Sequence, residues 1–382
     1  MIDKRNSEVM AFGPVSVANV GPCYDVLGYC LDHLGDFVKA TKTDKHQEAR
    51  LVHVCDLLNT GIDRIPYEDN CVQIVASEIW SDHYEKIPGP KYGIDLTLYK
   101  AIPIISGFGS SAASSVATAK AMFTLMKIND DRENFSQVAN PLIYTENKVT
   151  NGHYYPDNIV PSYFGGFNVI SPGICDELEV IDFLTVILWQ DIKLDTGTQR
   201  NAINQFLAAE ILNSELAPEY QLEKILGYMR YHTHCVARIV YGLTNGDFNM
   251  AGQAISGLSS IDFTLPGKLK NEVSEYNLLE FVRSPSIDRY NNIKTAAIEA
   301  GAYGCAICGS GPSIFAITDD EKKASDIKSA MLVACGKKDA KWLISRVNLK
   351  GAQIIENIKP WILEQKMNHN FWDNVDTVVL EH

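Results

Sequence analysis

The run from Pro103 to Ala113 holds Ser106, Gly107, Phe108, Gly109, Ser110, Ser111 and Ala112 in order. Glycines let backbone amides come close to a phosphate. A helix starting there adds orphan N–H groups and the positive end of its dipole. Two adjacent serines supply hydroxyls for a phosphate or a magnesium ion. The run is not a Walker loop, because no lysine follows the second glycine. Its spacing fits a loose dinucleotide fingerprint, but Pro103 interrupts the preceding strand, and no clear acidic residue ends a second strand about twenty residues on. A helix N-cap of small residues accounts for the same letters. A second glycine run, Gly309, Ser310, Gly311 and Pro312, lies between apolar stretches at 305–308 and 314–317. Cys305 and Cys308 have zinc or redox spacing, but no second pair completes a site, so buried thiols are expected. His232, His234 and Cys235 resemble metal ligands locally, yet residues two apart on a helix do not share a face.

These residues need elements to hold them. Residues 9–26 read as a strand running into a tight loop, and 25–34 as the start of a helix or a further turn. Residues 42–50 read as an exposed connection, and 72–79 have helical spacing. Ile94, Leu96 and Leu98 alternate with polar residues, as in a half-buried strand. Behind the first glycine run, Ala112, Val116, Ala119, Phe123 and Met126 form one apolar helical stripe whose small residues allow close packing on a sheet. A break at 171–173 suggests a boundary, with domains at 1–172 and 173–382. A strand at 186–189 and helices at 198–213, 220–240 and 288–300 follow, the last capped by Gly301. The class is mixed α and β.

Residues 103–113 match the motif P-x-x-x-G-[LF]-G-S-S-A-A of the GHMP kinases, and the chain resembles that family at two further places. Residues 13–28 are similar to A-P-A-S-S-A-N-L-G-P-G-F-D-V-L-G, and residues 309–316 to G-[AS]-G-P-[ST]-x-F-A. The first of these, with no basic residue after Pro14, resembles the homoserine kinase branch of the family. The resemblance implies an α+β two-domain GHMP kinase fold, with an N-terminal ribosomal-protein-S5-like domain and a C-terminal ferredoxin-like domain. It implies ATP and Mg²⁺ as cofactors and phosphorylation of the L-homoserine hydroxyl, a step of threonine biosynthesis. Another small-molecule kinase of the family, or a nucleotide-binding homologue without catalysis, are the alternatives.

Site residues carry over by position. Asn70, Pro103, Ser106, Gly107, Gly109, Ser110, Ser111, Ala112, Gly309, Ser310 and Gly311 are implied at the nucleotide, with Ser111 and Glu146 at the metal. Asn19, Asp25, Thr196, Arg200 and Arg283 are implied at the acceptor. A zwitterionic acceptor suits them, because its carboxylate needs guanidinium partners and its ammonium a carboxylate. Asn158 is implied beside the reacting hydroxyl, with Asp157 as the alternative base. The family's histidine three before that asparagine is Tyr155 here, and the nearest histidine is His153. Helix caps and exposed arginines are the plain alternatives for Asp25, Asn70, Arg200 and Arg283.

The net charge of −13, from 34 basic and 47 acidic residues, disfavours nucleic acid as a partner. No run of eighteen apolar residues suggests a membrane span, and Met1–Met10 lacks the apolar core of a secretory signal. Nine scattered cysteines suggest a reducing, cytoplasmic setting. The expected partners are the small-molecule substrate and a second copy of the chain as a homodimer. Segments 42–60, 174–185 and those after 350 carry no readable motif.

Overall fold

The computed structural model describes residues 7–87, 91–149, 156–171, 174–194, 196–211, 218–257, 277–365, 368–373 and 375. Its first sheet begins with strands β1 (Glu8–Ala18), β2 (Leu27–Thr43), β3 (Ala49–Asp56), β4 (Gly93–Lys100), β5 (Phe167–Ser171) and β6 (Ile174–Leu178). A second sheet holds β7 (Leu184–Trp189), β8 (Gly304–Ile307), β9 (Ile314–Thr318) and β10 (Lys341–Arg346). The chain then returns to the first sheet as β11 (Gln353–Ile355). The first sheet runs β11-β1-β2-β4-β3, with β5 also paired to β2 and β6 to β5. Among the described residues only the β3–β4 pair is parallel. The second sheet runs β10-β7-β9-β8, the order of a βαββαβ ferredoxin-like unit.

Helices α1 (Cys71–His83), α2 (Ser110–Met126), α3 (Phe135–Val149) and α4 (Pro156–Phe164) belong to the first half. Val72, Val75 and Ile79 of α1 and Val116, Met122 and Phe123 of α2 share a core with Val38, Leu96 and Leu98 of the sheet. The sheet's other face meets the second sheet, where Phe12, Tyr29 and Phe37 pack with Ile187 and Phe315. In the second half follow α5 (Thr196–Ile211), α6 (Pro218–Asn245), α7 (Phe248–Ile255), α8 (Leu278–Arg283), α9 (Tyr290–Glu299), α10 (Glu321–Cys335) and α11 (Ile358–Gln365). Ile293 of α9 and Ile327 of α10 cover the outer face of the second sheet. The helices are segregated from the strands they cover, so the class is α+β. Among the described residues, no helix is long and apolar enough to cross a membrane.

Two elements depart from the sequence reading. Residues 25–34 start no helix: Asp25 and Val26 lie in a turn, the other alternative, and from Leu27 they belong to β2. Ser16 pairs with Cys30 and Pro14 with Gly35, so residues 31–34 bulge against Val15 alone. His33, at φ 75, sits in that bulge, which hides any period of two. Helix α2 is buried on nearly every side rather than along one stripe, because other helices and the sheet enclose it. Its small residues do allow close packing: a Cβ on Gly13 of β1 would lie 2.1 Å from the Ala113 carbonyl oxygen. The expected boundary at 172 falls between β5 and β6, which pair with each other.

Candidate active site

The two glycine runs meet backbone to backbone. A Cβ on Gly107, at φ 85, would stand 2.5 Å from the Gly311 carbonyl oxygen, so no larger residue fits this approach. The Ser313 hydroxyl donates to the Ser106 carbonyl at 2.7 Å. Gly109, at φ 73, ends the first loop as the N-cap of α2, with no side-chain cap. The first-turn residues Ser110, Ser111 and Ala112 line a cavity together with Ser106, Gly107, Gly109, Gly309 and Ser310. Uncapped helix N–H groups facing a cavity attract a phosphate.

A buried cation supports this loop from below. Lys100, 2% exposed, forms an ion pair with fully buried Asp36 and donates to the Ser110 carbonyl and the Ser114 hydroxyl, each at 3.0 Å. Asp36 also accepts from the backbone N–H of Ala101 at 2.8 Å and of Ile102 at 3.2 Å. Lys100 reaches the cavity wall, although the chain as a whole is acidic.

On one side of the loop the Ser111 hydroxyl donates to Glu146 Oε2 at 3.1 Å. Burial pushes the Glu146 carboxyl up to about 7, against the pull of Ser111 and Lys100. A carboxylate and a hydroxyl side by side are hard oxygen donors, the set that suits magnesium. Ile62, Ile65, Cys71 and Ile104 supply an apolar wall nearby. Asn70 caps α1 by accepting from the Val72 N–H at 3.0 Å, while its buried Nδ2 has no partner among the described residues. It therefore caps a helix and also lines the cavity.

Further along, Asn158 of α4 accepts from the Ser16 hydroxyl at 2.9 Å and faces the cavity. Its neighbour Asp157 is fully buried, accepts from the Asn19 N–H at 3.2 Å and is absent from the lining. Burial, and then the Asp25 charge, push its carboxyl up. Asn19 and Asp25 both take left-handed backbone, and the Asp25 N–H donates to Asn19 Oδ1 at 2.9 Å. Arg200 forms an ion pair with Asp25. The Arg200 guanidinium lies 4.7 Å from the Tyr24 ring centre and that of Arg283 5.8 Å. Arg283 donates to the Gly309 carbonyl at 2.7 Å, so it also steadies the second glycine loop.

Asn19, Asp25, Asn70, Glu146, Asn158 and Arg283 thus share one cavity with the glycine loops. Arg200 joins through Asp25. Pro103 lies outside that lining, in a separate recess with Leu57, Trp189 and Phe371, and Gly311 acts by touching Gly107. Thr196 opens α5, but its side chain, like His153 and Tyr155, lies outside the described residues. Sequence reasoning missed Ser16, Tyr24 and Lys100. Ser16 and Tyr24 stand inside the first motif and could have been found there; Lys100 had no local signal. Cys305 and Cys308 are buried, and burial pushes both thiols up.

Residues 70–166 match the family model for the GHMP kinases N terminal domain, and residues 245–338 that for GHMP kinases C terminal. A homoserine kinase of Pyrococcus abyssi is 25% identical over 324 residues, covering 84% of this chain and 90% of the relative. One from Chlorobium phaeobacteroides is 27% identical, covering 91% and 99%. The crystal structure of homoserine kinase from Cytophaga hutchinsonii superposes with a TM-score of 0.73 at 27% identity, over 93% of this chain and 99% of that one. Lactococcus lactis galactokinase, at 15% identity and a TM-score of 0.63 over 91% and 95%, shares the fold. Both halves of the chain, and the loops that join at the cavity, match one family: the chain belongs to the GHMP kinases.

Proposed function

We propose that this chain transfers the γ-phosphoryl group of ATP to the hydroxyl of L-homoserine, forming O-phospho-L-homoserine for threonine biosynthesis. The observation that carries the acceptor is the grouping of Arg200, Arg283 and Asp25 around Tyr24, beside the phosphate loop. Guanidinium groups suit the carboxylate of an amino acid, and Asp25 suits its ammonium. The names of the relatives aligned over most of the chain support the same acceptor.

In this reading Ser106, Gly107, Gly109, Ser110, Ser111, Ala112, Gly309 and Ser310 hold the phosphates, and Asn70 faces the base. Ser111 and Glu146 fit a magnesium ion, since both offer hard oxygens and a nearby cation would offset the burial of the Glu146 carboxylate. Bound there with ATP, the metal would supply charge neutralisation at the β- and γ-phosphates. Asn158 orients the acceptor hydroxyl, whose oxygen bonds to the γ-phosphorus as the bond to ADP breaks. The hydroxyl proton passes to a phosphate oxygen, because a loose transition state needs no strong base. Asp157, enclosed behind Asn158, is the alternative base.

Nine free thiols support a reducing, cytoplasmic compartment, and a homodimer is the proposed assembly. The test of function is ADP release with a panel of alcohols. L-homoserine should give the highest kcat/KM. Turnover of a sugar or isoprenoid alcohol with none of homoserine would overturn the assignment, and ATP binding without turnover of any acceptor would leave a non-catalytic homologue.

A further inference from the structure

The chain beyond β10 crosses back over both sheets. Strand β11 adds to the edge of β1, and Trp361 of α11 packs against Phe12 at 4.9 Å between ring centres. Residues 368–370 then dress the free edge of β10. Ile344 N–H donates to the Asn368 carbonyl at 2.9 Å, Trp342 N–H to Asn370 Oδ1 at 2.7 Å, and Leu343 bridges His369. The next two side chains leave that edge for the phosphate loop. Phe371 meets Phe108 edge to face, with centres 5.7 Å apart at 83°. Trp372, fully buried, donates its indole N–H to the Ala101 carbonyl at 2.7 Å.

Both contacts fall on the loop's anchors. Phe108 stands between Gly107 and Gly109 and is 1% exposed. Its carbonyl accepts from the Ser16 N–H at 3.1 Å, so its position is shared with the residue that holds Asn158. Ala101 lies between Lys100 and the loop, and its N–H is already held by Asp36. With Trp372 on the carbonyl, both backbone polar groups of that residue are fixed. A glycine loop has little side-chain packing of its own, so its shape depends on such outside fixing.

We propose that Phe371 and Trp372 are positioning residues for nucleotide binding, setting the phosphate loop through Phe108 and Ala101 while the preceding residues lock the same segment to β10. This rests on the reading of that loop as the ATP site. Neither residue lines the cavity with the loop, so any effect on ATP must travel through the loop.

The test uses the full chain and three variants. Trp372→Phe keeps an aromatic ring but removes the N–H donor, and Phe371→Leu removes the edge-to-face contact. Trp361→Leu disturbs the same segment at α11, away from the loop. ATP binding is read by titration calorimetry without acceptor, alongside KM for ATP and for homoserine and the melting temperature. Trp372→Phe and Phe371→Leu should each weaken ATP binding by roughly threefold to tenfold, with KM for homoserine little changed. Trp361→Leu should lower the melting temperature and leave ATP affinity unchanged. Unchanged ATP affinity in both loop-facing variants would overturn the proposal, as would an equal loss in Trp361→Leu. Wild-type ATP binding without homoserine turnover would sink the acceptor assignment and leave this proposal standing. Absence of ATP binding by the wild type would sink both.

Discussion

Ser111, in the first turn of α2, donates its hydroxyl to Glu146 of α3 at 3.1 Å, joining two helices across 35 residues of sequence. The pair brings a buried carboxylate to the edge of the first glycine loop, where burial works against its charge. A magnesium ion there would resolve that conflict. Glu146→Gln keeps the shape and removes the charge. It should raise the magnesium concentration for half-maximal ADP formation by at least roughly tenfold, and Ser111→Ala should do so less. A magnesium titration at saturating ATP checks both. Unchanged metal dependence in Glu146→Gln would remove it from the metal site.

The two arginines differ in their second attachments. Arg200 pairs with Asp25, whereas Arg283 holds the Gly309 carbonyl. Arg200→Ala should therefore raise KM for homoserine by about tenfold to a hundredfold, the worth of a charged hydrogen bond, and leave KM for ATP near its starting value. Arg283→Ala should raise both. Initial-rate kinetics with each substrate varied separate the cases, and equal effects of the two substitutions on ATP would refute the division.

Asn158 and Asp157 offer a direct choice of scheme. Asn158 faces the cavity, while Asp157 is enclosed and bonded to the Asn19 N–H. Asn158→Ala should lower kcat by about a hundredfold, as loss of orientation does. Asp157→Asn should lower it far less, since the amide oxygen can still accept from Asn19. If Asp157→Asn abolishes turnover while Asn158→Ala retains most of it, the transfer without a protein base is wrong.

The two glycine loops were legible because their turns are written in consecutive residues. Backbone amides, glycines and a helix start occupy one short run, and close approach of chain to chain admits only glycine at Gly107. Helix α1 was legible too, because it buries one face. Strand β2 was not: it is covered on both sides and interrupted by the bulge at 31–34, so no alternation marks it. Lys100 and Asp36 lie 64 residues apart, and nothing near either one signals the other. The segment after β10 was silent for the same reason, since the contacts that tie it to β1 and to Ala101 are long-range.

His369 carries a pH dependence. It is 1% exposed, and burial pushes its imidazole down to about 4, against the hydrogen bond its Nε2–H donates to the His33 carbonyl at 3.2 Å. The unfolded chain therefore binds a proton near 6.5 that the fold refuses until about 4. Stability is full above the unfolded value and falls as pH drops through that window, by on the order of a few kcal/mol. His369→Gln should flatten the wild-type curve of urea midpoint against pH between those limits. A parallel curve would show that His369 does not set the slope.

Lys100 and Asp36 test whether the cation beneath the loop holds the fold, the phosphates or both. Lys100→Met leaves Asp36 buried without its counter-ion and should lower stability by about 3–5 kcal/mol in urea unfolding. Asp36→Asn added to it removes the stranded charge and keeps an acceptor for the Ala101 and Ile102 N–H groups. The double variant should therefore be more stable than Lys100→Met alone. ATP affinity should not recover with it, because Lys100 also holds the Ser110 carbonyl and reaches the cavity wall. Recovery of both stability and ATP affinity would make Lys100 scaffold alone, since a cation needed by the phosphates cannot be replaced by repairing its partner.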